Sequence, residues 1–468
     1  MLTPERTGLL KSFLSGLPEQ IAQRLAQAVE VDRLVDGKSL PHEMILESLR
    51  PALRRTHGAD RTPTPLRAFC VPFEDLFTLL PRKAKQKGRI ARGSVAPIWS
   101  WISQTLLPDE TKAYSAKFRA LILANKHAEA HAHSATFWPV AAAAIQHALG
   151  NEQGVKMARV ALGGQLVVED AAEMAVLLHV GEDTGEIQRI LPKPVATLTD
   201  ELLWPLRAVY DRLVQKAPDA VPYVAVIAMH RLAKPWEAMK LPLMVSRQTQ
   251  DTLISSTDMG LVGEIIFGDI ETYGKFVREA RQPVFDPVAL IENLSAFTNL
   301  SSGIVKGIDM RRDGKWGQRL LKDRAQLADV MDGFMERAPK EFAAALPMQK
   351  SGSFTGGPKT PDFSKPIDAE KIERALRYTQ LVAGCRGLAT GASFGASQKK
   401  AEEEICQTLR SYNEDVVKEL RTAEGPRRAV VESQFEFVCR LTAILFSEEE
   451  TEFLRRRGRA AQQAATAA

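Results

Sequence analysis

The sequence predicts an all-α protein: an irregular multi-helix array of helical hairpins, followed by a flexible linker and a small C-terminal helical bundle. Three observations predict it. Apolar residues recur at three- and four-residue spacing along nearly the whole chain, strict alternation over a strand-length run is scarce, and Gly, Pro or Asp turns punctuate the periodic segments. A chain of 468 residues exceeds one ordinary core, which points to several domains or to an array that adds layers without thickening. The apolar fraction of 45% and charged fraction of 25% are those of a folded globular chain rather than a disordered one or a coiled-coil rod.

Taken in order, Thr3 caps a first helix with Pro4 at its first position, and Leu9, Leu10, Phe13 and Leu14 mark its apolar face. A second helix starts at Pro18, carries Ile21, Leu25 and Val29 on one stripe, and stops at Asp36-Gly37. Residues 41 to 55 form a third. The run Arg61-Thr62-Pro63-Thr64-Pro65 is expected to be extended, because proline lacks a donor and restricts the residue before it. From Pro97 a helical pattern resumes through Trp99, Trp101, Tyr114, Phe118 and Leu121 to Leu149, with breaks expected at Pro108 and near Pro139. Between 151 and 240 shorter segments alternate with turns, as stacked hairpins would.

Within that stretch Thr197 and Asp200 have capping-box spacing ahead of Leu203, Leu206, Tyr210 and Leu213. Asp286-Pro287 is a cap followed by proline at the first helical position, with Leu290, Leu294 and Phe297 behind it. Trp316, Leu320, Leu327, Met331 and Phe334 make the next stripe. The Gly-, Pro- and Ser-rich run 350–366 has little to bury and reads as a flexible linker. It divides a helical main body at 1–349, with a further subdivision open near 60–96, from a helical bundle at 367–468 whose tail frays. No repeat of fixed period is visible, so no named solenoid family is indicated.

The N-terminus lacks the basic start and unbroken apolar run of a signal peptide. The longest apolar runs, Val140 to Ile145 and Val224 to Met229, fall short of the roughly 18 residues a spanning helix needs. Four scattered cysteines (Cys70, Cys385, Cys406 and Cys439), with no C-x-x-C pair, suit reduced thiols, and a cytoplasmic location is expected. The net charge of +5 is uneven, since the window from Arg50 to Ser100 alone carries eleven Lys or Arg against Asp60, Glu74 and Asp75.

Two clusters carry candidate chemistry. Arg82, Lys83, Lys85, Lys87, Arg89 and Arg92, next to Trp99 and Trp101, have the cation density and the aromatics that bind phosphates or an anionic lipid surface, although a solvated loop has the same composition. His127, His131 and His133 lie near Glu129. His127 and His131, four apart on a helix, can reach one divalent ion, but Glu129 sits on the opposite side and the pattern is not H-E-x-x-H. Cys70, among Phe69, Phe73 and Phe77, reads as core rather than nucleophile. Gly356-Gly357-Pro358-Lys359-Thr360 fails as a phosphate loop because its upstream glycine spacing is wrong and proline replaces a donor. Neither a dinucleotide fingerprint nor a nucleophile elbow appears, and no cofactor is expected.

These features rank three readings. The first is a cytoplasmic protein-protein interaction or scaffold protein, non-catalytic, with protein partners. The second is a binder of nucleic acid or anionic membrane surface through 82–92, without a transmembrane segment. The third is a metal-dependent or acid-base enzyme using the His127–His133 cluster.

Overall fold

The computed structural model describes residues 10–29 apart from 12, 19, 20, 23 and 27, then 41–54, 63–78, 84–246, 254, 257–350 and 359–467. Helices make up most of these residues and strands are confined to two short pairs, so the fold is all-α. The Thr3-Pro4 cap and the Asp36-Gly37 stop lie outside the described residues. Helix α1 (His42–Arg54) buries Ile45 and Leu49 against Leu14, Ala22 and Val29, a small cluster separate from the main core.

The main core starts at α2 (Pro65–Cys70). Pro65 opens a helix instead of prolonging an extended run: Thr64 is extended, its hydroxyl accepts from the Arg67 amide at 3.2 Å, and the proline occupies the first helical position, where no donor is needed. A 3-10 turn over Val71–Leu76 buries Phe73 and Leu76. Strand β1 (Phe77–Thr78) pairs in parallel with β2 (Ile90–Ala91). After α3 (Val95–Trp101) a wide π-type turn leads into α4 (Pro108–Leu123), which starts at the expected proline. Helix α5 (His127–Ala148), however, runs straight through Pro139. The donor lost there is outweighed by the tertiary packing of Phe137, Trp138, Ala141, Ala142 and Ile145, all buried.

Helix α6 (Glu152–Leu162) is capped by the Asn151 side chain and ends at Gly163, whose φ of 76° is the left-handed stop that glycine accepts without strain. Next come α7 (Gln165–His179), which packs along α5, and α8 (Gly181–Ile190). Helix α9 (Asp200–Lys216) does not use the capping box. Thr199 is the cap residue, its carbonyl accepts from Leu203, and its side chain makes no cap bond; Asp200 is therefore the first helical residue, two positions too early to serve as the box's acid.

The apolar run noted at Val224 to Met229 is α10 (Pro222–Arg231). Every residue from Pro222 to Met229 is buried, which makes it the central strut of the array. It packs against α8 and α12 (Leu261–Glu279), with α11 (Lys240–Ser246) between them in the chain. Helix α13 (Pro287–Gly307) begins as the sequence indicates, the Asp286 carboxylate accepting from the amides of Val288 and Ala289 at 2.9 and 3.3 Å. The long α14 (Lys315–Ala345) buries Trp316, Leu320, Leu327, Met331 and Phe334.

Of the segment 350–366, residues 351–358 lie outside the described residues. On either side, β3 (Met348–Lys350) and β4 (Lys359–Pro361) pair antiparallel. Phe363 is buried beside Tyr412, and the Gln434 amide donates to the carbonyls of Asp362 and Lys365. The remaining helices, α15 (Ala369–Gly384), α16 (Gly395–Glu419), α17 (Gly425–Leu445) and α18 (Glu448–Ala467), pack on one another. Helices α15 and α16 also lie against α14, so the apolar core runs without interruption from Phe69 to Ala461.

Candidate functional site

The most developed polar cluster is built on α7. Asp170 and Glu173 stand three residues apart, hence on one face, and both are buried among the apolar side chains of that helix. Carboxylates removed from water require partners, and the segment from Lys85 to Ser94 supplies them. The Lys85 ammonium donates to Asp170 Oδ1 at 2.7 Å, to Glu173 Oε2, and to the Arg89 carbonyl at 2.7 Å. The Gly88 amide donates to Glu173 Oε1 at 2.5 Å, and the Ala91 amide and Ser94 hydroxyl to Asp170 Oδ2 at 3.1 and 2.6 Å. From α10, the Tyr223 hydroxyl completes the set with a 2.7 Å bond to Glu173 Oε1; burial, first, and the adjacent Glu173 charge push its ionisation far up.

This strap also grips α12. Arg89 pairs with Asp269 at 2.5 Å, and burial raises the Asp269 carboxyl above its usual range although the guanidinium opposes that. At Gly88, with φ of 83°, a Cβ would lie 2.4 Å from Ile265 Cδ1, so only glycine gives both the backbone turn and the close approach.

A second polar group adjoins it. Asp75 receives two bonds from Arg231 Nη1, at 3.0 and 2.8 Å, one from Gln188 at 3.2 Å, and has Lys193 at 3.6 Å. His230, the neighbour of Arg231, is half-buried with its Nε2 fully enclosed and unpaired. Burial, reinforced by the charges of Arg89 and Lys193, pushes its pKa down to about 3, which keeps the imidazole neutral.

Chemically, this arrangement is closed. An ammonium has three donors, and all three of Lys85 are engaged inside the protein. It therefore offers neither a free amine for covalent chemistry nor a charge for an external phosphate in this conformation. Of the other cations in the basic window, Arg82 and Lys83 lie outside the described residues, Arg89 is taken by Asp269, and Arg92 is exposed. Lys87 is exposed, with its ammonium 5.9 Å from the Tyr223 ring centre.

The three histidines of α5 part company. His127 is exposed and bonds Asn125 Oδ1 at 2.8 Å through Nε2, and His131 is exposed with its ring edge-on to Trp138. His133 turns inward against Tyr114, its Nε2 enclosed without a partner and its pKa lowered by burial and by Lys117. Glu129 pairs with Lys126 instead. Among the described residues, no group of three or more His, Cys, Asp or Glu side chains is placed to hold a metal ion. Cys70 is buried and its thiol is pushed up to about 12, mainly by burial, so little thiolate exists near neutrality.

Asp170, Glu173, Tyr223 and Asp269 were not singled out by sequence reasoning. A signal was present: in QLVVEDAAEMAVLLH, two acids interrupt an apolar face at helical spacing, which implies either a charged partner or a site. The chain matches no known family model, no curated protein and no solved structure.

Proposed function

We propose that this chain is a protein-binding scaffold of the cytoplasm, a rigid helical body whose outer helix faces hold partners. The observation that carries this reading is the contrast between interior and surface. Lys85 and Arg89, two of the cations of the basic window, are spent on tying α7, α10 and α12 together, whereas large apolar side chains stand in solvent on α6 (Met157 and Val160), α9 (Trp204) and the α12–α13 connection (Val284). Burying such side chains is the common driving force of protein association. Four free cysteines suit a reducing compartment, and no helix among the described residues is long and apolar enough to cross a membrane.

The test is purification of the tagged full chain from its native cell, with and without nuclease, followed by mass spectrometry and nucleic-acid staining. The scaffold reading expects protein partners at near-stoichiometric yield after nuclease. Recovery of nucleic acid alone, or of partners that vanish with it, overturns it in favour of polyanion binding.

A further inference from the structure

We propose that the outer face of α6, continued along α5, is a docking surface for an acidic amphipathic helix of a partner protein; this rests on the scaffold reading and names one of its surfaces. Met157 and Val160 are one turn apart on α6 and are 65% and 84% exposed, and Lys156 and Arg159 flank them. Neither cation is ion-paired among the described residues, so both charges stand open to a partner's carboxylates. The single acid of this helix, Glu152, stands at its N-terminal end.

Beyond the short turn at 149–151, the adjoining helix is unusual in the same direction. From Ala130 to Asn151 no Asp, Glu, Lys or Arg occurs, although a quarter of the whole chain is charged. The inward face of α5 accounts for Phe137, Trp138 and Ile145, but the outward face is equally free of charge: Ala132, Thr136, Pro139, Val140, Ala143 and His147 are all exposed. A solvent-facing helix normally carries charge on that side. A charge-free surface ending in apolar side chains with an unpaired Lys and Arg beside them has the complement of a helix with an apolar stripe and flanking Asp or Glu. Small residues along α5 allow such a helix to approach closely, and Met157, unbranched and adaptable, suits a binding surface.

The probe is a fluorescent synthetic peptide of about 18 residues, some 27 Å of helix, with leucines on one face and glutamates beside them; the comparison peptide carries lysines in place of the glutamates. Titrated against the full chain, the acidic peptide is expected to bind at least about tenfold more tightly than the basic one, a difference of 1.4 kcal/mol or more. Met157→Glu/Val160→Glu should weaken it by at least that factor, and Lys156→Glu/Arg159→Glu should reverse the preference toward the basic peptide. All four positions are exposed, and unchanged circular dichroism and melting will show that the variants fold. Equal binding of the two peptides, or acidic-peptide binding indifferent to both variants, overturns the proposal. So does absence of peptide binding with variant-sensitive co-sedimentation on phosphatidylserine vesicles, which would make the face a membrane contact. If near-stoichiometric partners persist on the Met157→Glu/Val160→Glu protein, this docking surface falls and the scaffold reading stands.

Discussion

Removing the Lys85 charge is the sharpest test of the idea that the basic strap is an internal clasp. In Lys85→Met the stem is replaced at similar bulk, but Asp170 and Glu173 keep facing the vacated position, still enclosed and now close to each other without a counter-ion. Two charge-assisted hydrogen bonds disappear, each worth about 1.5–3 kcal/mol where charge is involved. Breaking a buried ion pair by deleting one partner typically costs about 3–5 kcal/mol. Because Lys85 retains some solvent contact, the lower end applies, and a loss of about 3 kcal/mol is expected in urea unfolding. The deficit should shrink on moving from about pH 7.5 to about pH 5. One of the facing carboxylates in the folded variant then takes up a proton more readily than in the unfolded chain, and proton uptake favoured by the folded state adds stability as pH falls. Adding Asp170→Asn and Glu173→Gln to Lys85→Met should recover most of the loss, since it neutralises the orphaned charges. A deficit below about 1 kcal/mol, or one independent of pH and not rescued, would refute the clasp, because surface ion pairs behave that way.

Three further expectations follow from the same geometry. His230 is held neutral, with a pKa near 3 against 6.5 for the free side chain, so its contribution is complete near neutral pH and is lost as pH falls below about 6.5, where only the unfolded chain gains the proton. His230→Gln should flatten the unfolding free energy between about pH 6 and pH 4 by up to about 1.4 kcal/mol per pH unit; an NMR resonance assigned to His230 by its loss in that variant and titrating near 6.5 would contradict it. Gly263→Ala places a Cβ 2.4 and 2.5 Å from ring carbons of the fully buried Trp316, whose indole donates to Glu264 at 2.9 Å. Overpacking of about 1–3 kcal/mol should outweigh the helix propensity gained, read as a lower melting temperature with a shifted tryptophan emission. Asp286→Ala removes both side-chain bonds that start α13 and should cost about 1 kcal/mol, measured by the urea midpoint at constant slope.

Several elements were legible before any coordinates because their cause is local. The Asp286-Pro287 start and the α14 stripe from Trp316 to Phe334 follow from backbone donors and side-chain period, which act within a turn or two of helix. Pro139 and the Thr197–Asp200 box misled for the converse reason: packing of Trp138 and Ile145 overrode a local breaker, and the chain entered α9 two residues later than its best box spacing. The candidate site suffered most. Lys85 and Glu173 are 88 residues apart and Arg89 and Asp269 are 180 apart, so no window of sequence contains either pair.

The sequence by itself determined that the protein is helical, where many of its helices begin, and that cations concentrate in residues 82–92. That Lys85 and Arg89 face inward was decided only by tertiary structure. An ion pair is set by distance in space, and burial of Asp170 and Glu173 on α7 makes the nearest ammonium a structural necessity rather than a free charge. The same holds for the surface: the missing charges of 130–151 are written in the sequence, but that one side of α5 faces solvent, beside an α6 carrying Met157 and Val160, is a property of how the helices stack.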